Sequence, residues 1–249
     1  MFELVYVSPD FGTRFEMLQG EDGPFIVLDS LQGLVGEFSD TQIQTVGVPG
    51  ARVDFRDRVV APMTGGFDLV VTSEEQWLSV RKAFSTNEYG TLILTVGAKT
   101  WTAKVRLSAS LPSPGGRPHE GSIIHVQLVS DGEHGGLWYS TGESSARTVR
   151  VTNRGDVPVW PEIEWSGAGG VVTLPSGAQF ELPSVSRAHV LPLARHRSGK
   201  VTSSRGYERA VTQKVNAVSE SVPVGATRQF VLPEGAKLRW REGVLDPWV

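Results

Sequence analysis

The chain has 249 residues with no Cys, 28 Gly, 15 Pro and a formal net charge of −3. That length holds one large or two ordinary domains with proper cores, and two is the working count. Without cysteine there are no disulfides and no thiolate metal sites, and with no apolar run near the ~20 residues that cross a bilayer, a soluble chain without membrane contact is expected.

The opening MFELVYVSPDFG has no basic region followed by an apolar segment, so no export signal is expected. Phe2, Leu4 and Tyr6 alternate with Glu3 and Val5 ahead of Pro9, which predicts a short strand at a sheet edge. Residues 25–29 and 43–48 read as strands on either side of the glycine-rich residues 33–36. Asp54, Arg56, Asp57 and Arg58 form a mixed-sign cluster read as a solvated rim. A catalytic carboxylate pair needs two separated pKa values, and nothing nearby separates these.

Residues 67–72 predict a strand running into a helix over 74–84. Ser73 stands at the N-cap, Gln76 at the capping-box position, and Glu74 and Glu75 in the first turn, where they favour the positive end of the helix dipole. Trp77, Val80 and Phe84 make one apolar stripe, read as a helix packed across a sheet. Residues 91–96 and 103–109 around a turn at 97–99 give the cleanest hairpin signal, with Ala103, Val105, Leu107 and Ala109 on one face. A loop over 112–121, a strand over 122–130 and an inter-domain connection over 131–136 follow.

The second half offers strands at 147–152, 159–166, 170–174, 179–182, 188–193, 227–232 and 237–241, a number and spacing that argue for a β-sandwich. In 151–167, Val159, Ile163 and Trp165 share one face and Trp160, Glu162 and Glu164 the other, around a turn at 153–156. Arg154, Gly155 and Asp156 spell a receptor-binding tripeptide, yet Asn-Arg-Gly-Asp is also a good turn, and the turn is the reading adopted. Between 195 and 214 the alternation fails and Arg195, His196, Arg197, Lys200, Arg205, Arg209 and Lys214 accumulate. With Tyr207 alone available for stacking and no reader motif, a solvated or subunit-bridging loop is preferred to nucleic-acid contact.

Charge divides as sharply as pattern. Residues 1–136 hold 10 Lys and Arg against 17 Asp and Glu, whereas residues 137–249 hold 14 against 10. Such a split suits a self-assembling protein whose acidic face meets a neighbour's basic one. Glu162 and Glu164, two of the ten acids in the basic half, make that face a candidate contact for a neighbour's basic loop.

Catalytic constellations are not found. His119, Glu120 and His125 lack the four-residue helical spacing of a zinc motif and lead into a strand, where six residues span ~20 Å. The GESSA of residues 142–146 places Ser144 before a strand, where a nucleophile elbow needs a helix. No glycine-rich phosphate loop is present. No catalytic, cofactor-binding or metal-ligating residue is assigned, no cofactor is expected, and the chain is not expected to be an enzyme.

The order of parts resembles the distal tail protein (Dit) family of phages with long, flexible, non-contractile tails. The resemblance rests on the strand-to-helix passage 67–84, on 151–167 with its paired prolines and tryptophans, and on the ending 222–240, SVPVGATRQFVLPEGAKLRW within a slightly wider frame. It implies a mainly β fold: an N-terminal ring-forming, β-rich domain over 1–136 (sandwich- or split-barrel-like) carrying the helix 74–84, and a galectin-like β-sandwich over 137–249. It further implies a structural virion protein, made in the bacterial host cytoplasm, that forms a hexameric ring at the distal end of the tail. There the ring joins the tail tube protein to tip or baseplate proteins and surrounds the end of the tape measure protein.

The rival reading is a carbohydrate-binding β-sandwich. Galectins use a His-x-Asn-x-Arg strand and a Trp-x-x-Glu-x-Arg strand, but Trp160 is followed by Pro161, Glu162 and Ile163, and Trp240 by Arg241 and Glu242, which argues against sugar binding of that type.

Overall fold

A computed structural model describes residues 2–19, 23–44, 46–47, 49–50, 52–53, 58–133, 135–197 and 199–249, with the side chains of Ile43 and Arg52 excepted. The fold is mainly β, with antiparallel strand pairs throughout and one helix of ten residues. Two compact units form: residues 1–139 with 244–249, and residues 140–243. The boundaries fall inside the strands Trp138–Ser144 and Ala236–Val244. Residues 131–136, read from sequence as the connection, lie within the first unit, to which the last six residues also return.

In the first unit, Phe2–Val7 pairs along its whole length with Gly90–Val96 and on its other side with Arg14–Glu16. The opening strand is therefore interior, not an edge. The three residues of Arg14–Glu16 that cover it are too few and too mixed to announce themselves by alternation. Gly90–Val96 continues into Lys99–Leu107 as a hairpin whose register ends at Val96↔Lys99. Gly97, with φ +61, supplies the left-handed turn residue.

Lys99–Leu107 then serves a second sheet. Its last two residues pair with Ile123–Ser130, which pairs over eight residues with Met63–Val70. Phe25–Ile26 and Gln32–Gly33 add short strands beyond, so the strand predicted over 25–29 shrinks to two residues. That predicted over 43–48 becomes a Gln42–Ile43 pairing with Arg52–Val53, and Thr45 and Val48 lie outside the described residues.

Leu4, Leu92, Trp101, Val126 and Phe67 from both sheets enter one core. The helix Glu74–Ala83 is capped as the sequence predicts: the Ser73 hydroxyl accepts from Gln76 N at 3.1 Å, and Gln76 Oε1 accepts from Thr72 N at 2.8 Å. The helix delivers Val80, Ala83 and the C-cap Phe84 to the core. There Phe84 stacks on Tyr6 at 3.9 Å, and the Tyr6 hydroxyl donates to Ala83 O at 3.0 Å. Burial pushes the Tyr6 phenol well above its ordinary range, so it stays a donor. Val244 and Trp248 pack against the same core.

The second unit is a two-sheet sandwich. One sheet runs Ala236–Val244, Glu162–Gly167, Val185–Pro192, Thr202–Ser203, Gly206–Tyr207; the other runs Thr148–Thr152, Thr227–Val231, Gly170–Thr173, Gln179–Leu182. Every second-half strand predicted from alternation overlaps an observed one, and three of the observed strands, Glu162–Gly167, Val185–Pro192 and Ala236–Val244, run beyond the predicted bounds. Val151, Val172 and Phe230 from one sheet meet Ile163, Trp165 and Leu191 from the other. Each such fully buried side chain contributes about 1.5–3 kcal/mol of transfer free energy.

Candidate interaction surfaces

Residues 151–167 are not a hairpin. Thr148–Thr152 pairs with Thr227–Val231 in one sheet, while Glu162–Gly167 pairs with Val185–Pro192 and Ala236–Val244 in the other. The segment carries the chain across the sandwich, and Asn153 holds the crossing. Its side chain is fully buried: Nδ2 donates to Val157 O and Val222 O, both at 2.9 Å, and Oδ1 accepts from Gly155 N at 3.0 Å. Asp156 N donates to Gly243 O at 2.8 Å, and a Cβ on Gly155 would meet that same oxygen at 2.3 Å. Arg154 N donates to Glu242. The Arg-Gly-Asp tripeptide is thus a docked structural turn, its middle residue glycine because no side chain fits.

The period-two assignment of 159–165 matches the burial: Val159, Ile163 and Trp165 are buried, and Trp160, Glu162 and Glu164 are half-buried. The outer face is less open to a neighbour than the sequence reading expects. Arg239, directly across from Glu162 in register, pairs instead with Glu164 at 2.5 Å and with Glu143 at 3.4 Å, and Lys237 reaches Glu143 at 3.2 Å. Lys237, then Arg239, hold the Glu143 carboxyl below its ordinary value. Glu143 and Glu164 are thus neutralised within the row. Trp240 is half-buried and packs against the sandwich core over Gly142.

Residues 195–214 do not form the patternless loop expected. A 3-10 turn, Arg195–Arg197, leads to Thr202–Ser203, which adds to the sheet beside Val185–Pro192 with His189 opposite Ser203. Gly206–Tyr207 closes a small hairpin, and the short helix Arg209–Thr212 follows. Buried Val201 and Val215, with Val211, seat it on the core. The Ser203 hydroxyl donates to Glu208 at 2.6 Å and lowers its pKa; buried His189, 4.0 Å away, adds to the effect. Alternation missed this hairpin because its strands are two residues long and most of its side chains face water.

The remaining sequence candidates are dispersed. His125 pairs across strands with Asp68 at 2.5 Å, while His119 Nδ1 contacts its own turn at Arg117 O, 3.2 Å away. Ser144 ends a strand, and its hydroxyl accepts from Ala146 N at 3.3 Å. Of the mixed-sign cluster, Asp54, Arg56 and Asp57 lie outside the described residues, and Arg58 forks onto Asp40 through Nε at 2.6 Å and Nη2 at 3.2 Å. Among the described residues no group of three His, Asp or Glu converges as metal ligands would. Among them, too, no helix is long and apolar enough to cross a membrane.

No family model matches the chain. No curated protein matches it either. Solved structures do. The Dit protein of phage SPP1, described as a paradigm of hub adsorption apparatus in phages infecting Gram-positive hosts, superposes with a TM-score of 0.62 at 10% identity, over 98% of this chain and 99% of that one. A chain of the phage P2 baseplate in its activated conformation with Ca gives 0.54 at 9% identity, over 97% and 98%. The corresponding structure with Sr gives 0.51 at 9% identity with the same coverage. Along nearly its whole length, this chain has the fold of the SPP1 Dit hub protein.

Proposed function

We propose that this chain is a structural protein of a phage tail, a hub that closes into a ring at the distal tail tip and joins the tail tube to tip, baseplate or receptor-binding proteins. The observation that carries the reading is the likeness to the SPP1 Dit protein over both units, not one domain of it. A β-sandwich alone serves many functions; the succession of a helix-bearing β unit and a sandwich, covering 98% of this chain and 99% of the other, is far more restrictive.

In this reading the first unit builds the ring and the galectin-like second unit docks neighbouring proteins, with six copies around the tape measure protein. Supporting it is a chain that spends its polar groups on structure. Asn153, Ser73 and Tyr6 are committed to turns, caps and core contacts, and among the described residues no histidine pairs with Ser144. The role is structural and not enzymatic. Gold-labelled antibody against the chain, applied to intact tailed particles that carry it, is expected to decorate the tail end distal to the capsid. Label on the capsid or along the tube would contradict the reading.

A further inference from the structure

The basic character of the second half is not spread over it. Residues 195–214 hold six Lys and Arg against one Glu, whereas the rest of residues 137–249 holds eight against nine. The sandwich proper is close to neutral, and one appendage carries the positive charge. Arg195, Lys200, Arg205, Arg209 and Lys214 are exposed, and none makes an ion pair among the described residues. The one acid, Glu208, is turned inward to Ser203.

The appendage is also held in place before any partner arrives. Val201 is fully buried and Val215 nearly so, Val201 N donates to the Thr212 hydroxyl at 3.0 Å, and Glu208 N donates to Val201 O at 2.9 Å. Tyr207 stands 54% exposed between Arg205 and Arg209, an aromatic of the kind that anchors interfaces. With its backbone already anchored, the hairpin has only side chains left to order on docking.

We propose that residues 195–214 form a docking element for the acidic first unit of a second copy of this chain. The first 136 residues carry 17 acids against 10 bases, and Asp29, Glu37, Glu75, Glu88 and Glu120 among them are exposed. Opposite potentials on two different patches give a heterologous contact, which adds to the first-unit contacts that build the ring. The proposal rests on the hub reading only in requiring several copies side by side.

The test uses the full chain, an equal mixture of nitrogen-14 and nitrogen-15 preparations, and a zero-length carbodiimide that joins amines to carboxylates. Mass spectrometry is expected to find Lys200 and Lys214 linked to Asp or Glu of residues 1–139 on the copy of opposite label. In parallel, the triple variant R205E/R209E/K214E, changed only at exposed positions, is expected to self-associate about tenfold or more weakly than wild type at low salt. The difference is expected to vanish in high salt.

Inter-copy links that avoid these lysines, a triple variant that associates like wild type, or a wild type that stays monomeric at every salt each overturn the proposal. So does unchanged self-association with lost binding of a single-stranded oligonucleotide, which would assign the segment to nucleic acid. Rings that persist unaltered in the triple variant leave the hub standing and remove the hairpin from it. Capsid label in the antibody experiment removes the hub whatever the hairpin does.

Discussion

The Asn153 amide makes its three hydrogen bonds without exposure to water, so its replacement shows what the crossing between sheets depends on. Asn153→Asp keeps the shape but sets a carboxylate against two carbonyls that now lack a donor. Destabilisation of about 3 kcal/mol or more is expected in urea unfolding, since buried acceptors left unpaired cost about 1–3 kcal/mol each and an unpaired charge costs more. A change under 0.5 kcal/mol would show that the turn is held some other way. The turn composition at Asn153 and Gly155 was legible in sequence. The buried partners were not, because Val222 and Gly243 lie far along the chain and no local pattern points to them.

Arg106 and Asp131 give a pH-dependent counterpart. Arg106 Nε donates to Asp131 Oδ1 at 3.0 Å, its Nη2 also meets Oδ2, and the Tyr89 hydroxyl donates to Oδ1 at 3.0 Å. The hydrogen bond from Arg106, then that from Tyr89, hold the carboxyl below its ordinary value. A carboxylate with a depressed folded pKa adds stability above its unfolded value of about 3.9 and loses it as pH falls through the lower folded value. The stability gap between wild type and Asp131→Asn is therefore expected to hold from neutral pH to about 5 and to shrink below about 4. A gap that widens on acidification would reverse the assignment.

At the scale of elements, the helix Glu74–Ala83 was the most legible part of the chain. Ser73, Gln76 and the acidic first turn are all local signals, and the structure uses each of them. Ser73→Ala is expected to cost about 1 kcal/mol by thermal or urea unfolding, the usual loss for a serine N-cap. Loss near zero would mean that Gln76 alone holds the first turn. The hairpin of Gly90–Val96 and Lys99–Leu107 was equally legible, because alternation and a glycine turn sit within twenty residues.

Strand partners were not legible. Period two tells which face a residue takes and says nothing of which strand lies beside it. Hence the opening strand read as an edge proves interior, and the two strands of 151–167 separate into opposite sheets. Trp138–Ser144 escaped notice because WYSTGES has no apolar alternation. The outward face at Glu164 looked free because its partner Arg239 is 75 positions away in sequence yet neighbours it across two adjacent strands.

For the whole molecule, charge and fold are the two supports of the proposed assembly. The first half is acidic and the positive charge of the second is gathered on residues 195–214, and the fold is that of the SPP1 hub protein. Each interaction named above stabilises one chain, whereas the function proposed belongs to several together. The most direct measurement is negative-stain imaging of the purified full chain at low salt. Rings with a central hole, built of several 27.0 kDa subunits, are the expected result. Uniform particles of single-subunit size, unchanged when tape measure protein is supplied as a scaffold, would contradict the hub.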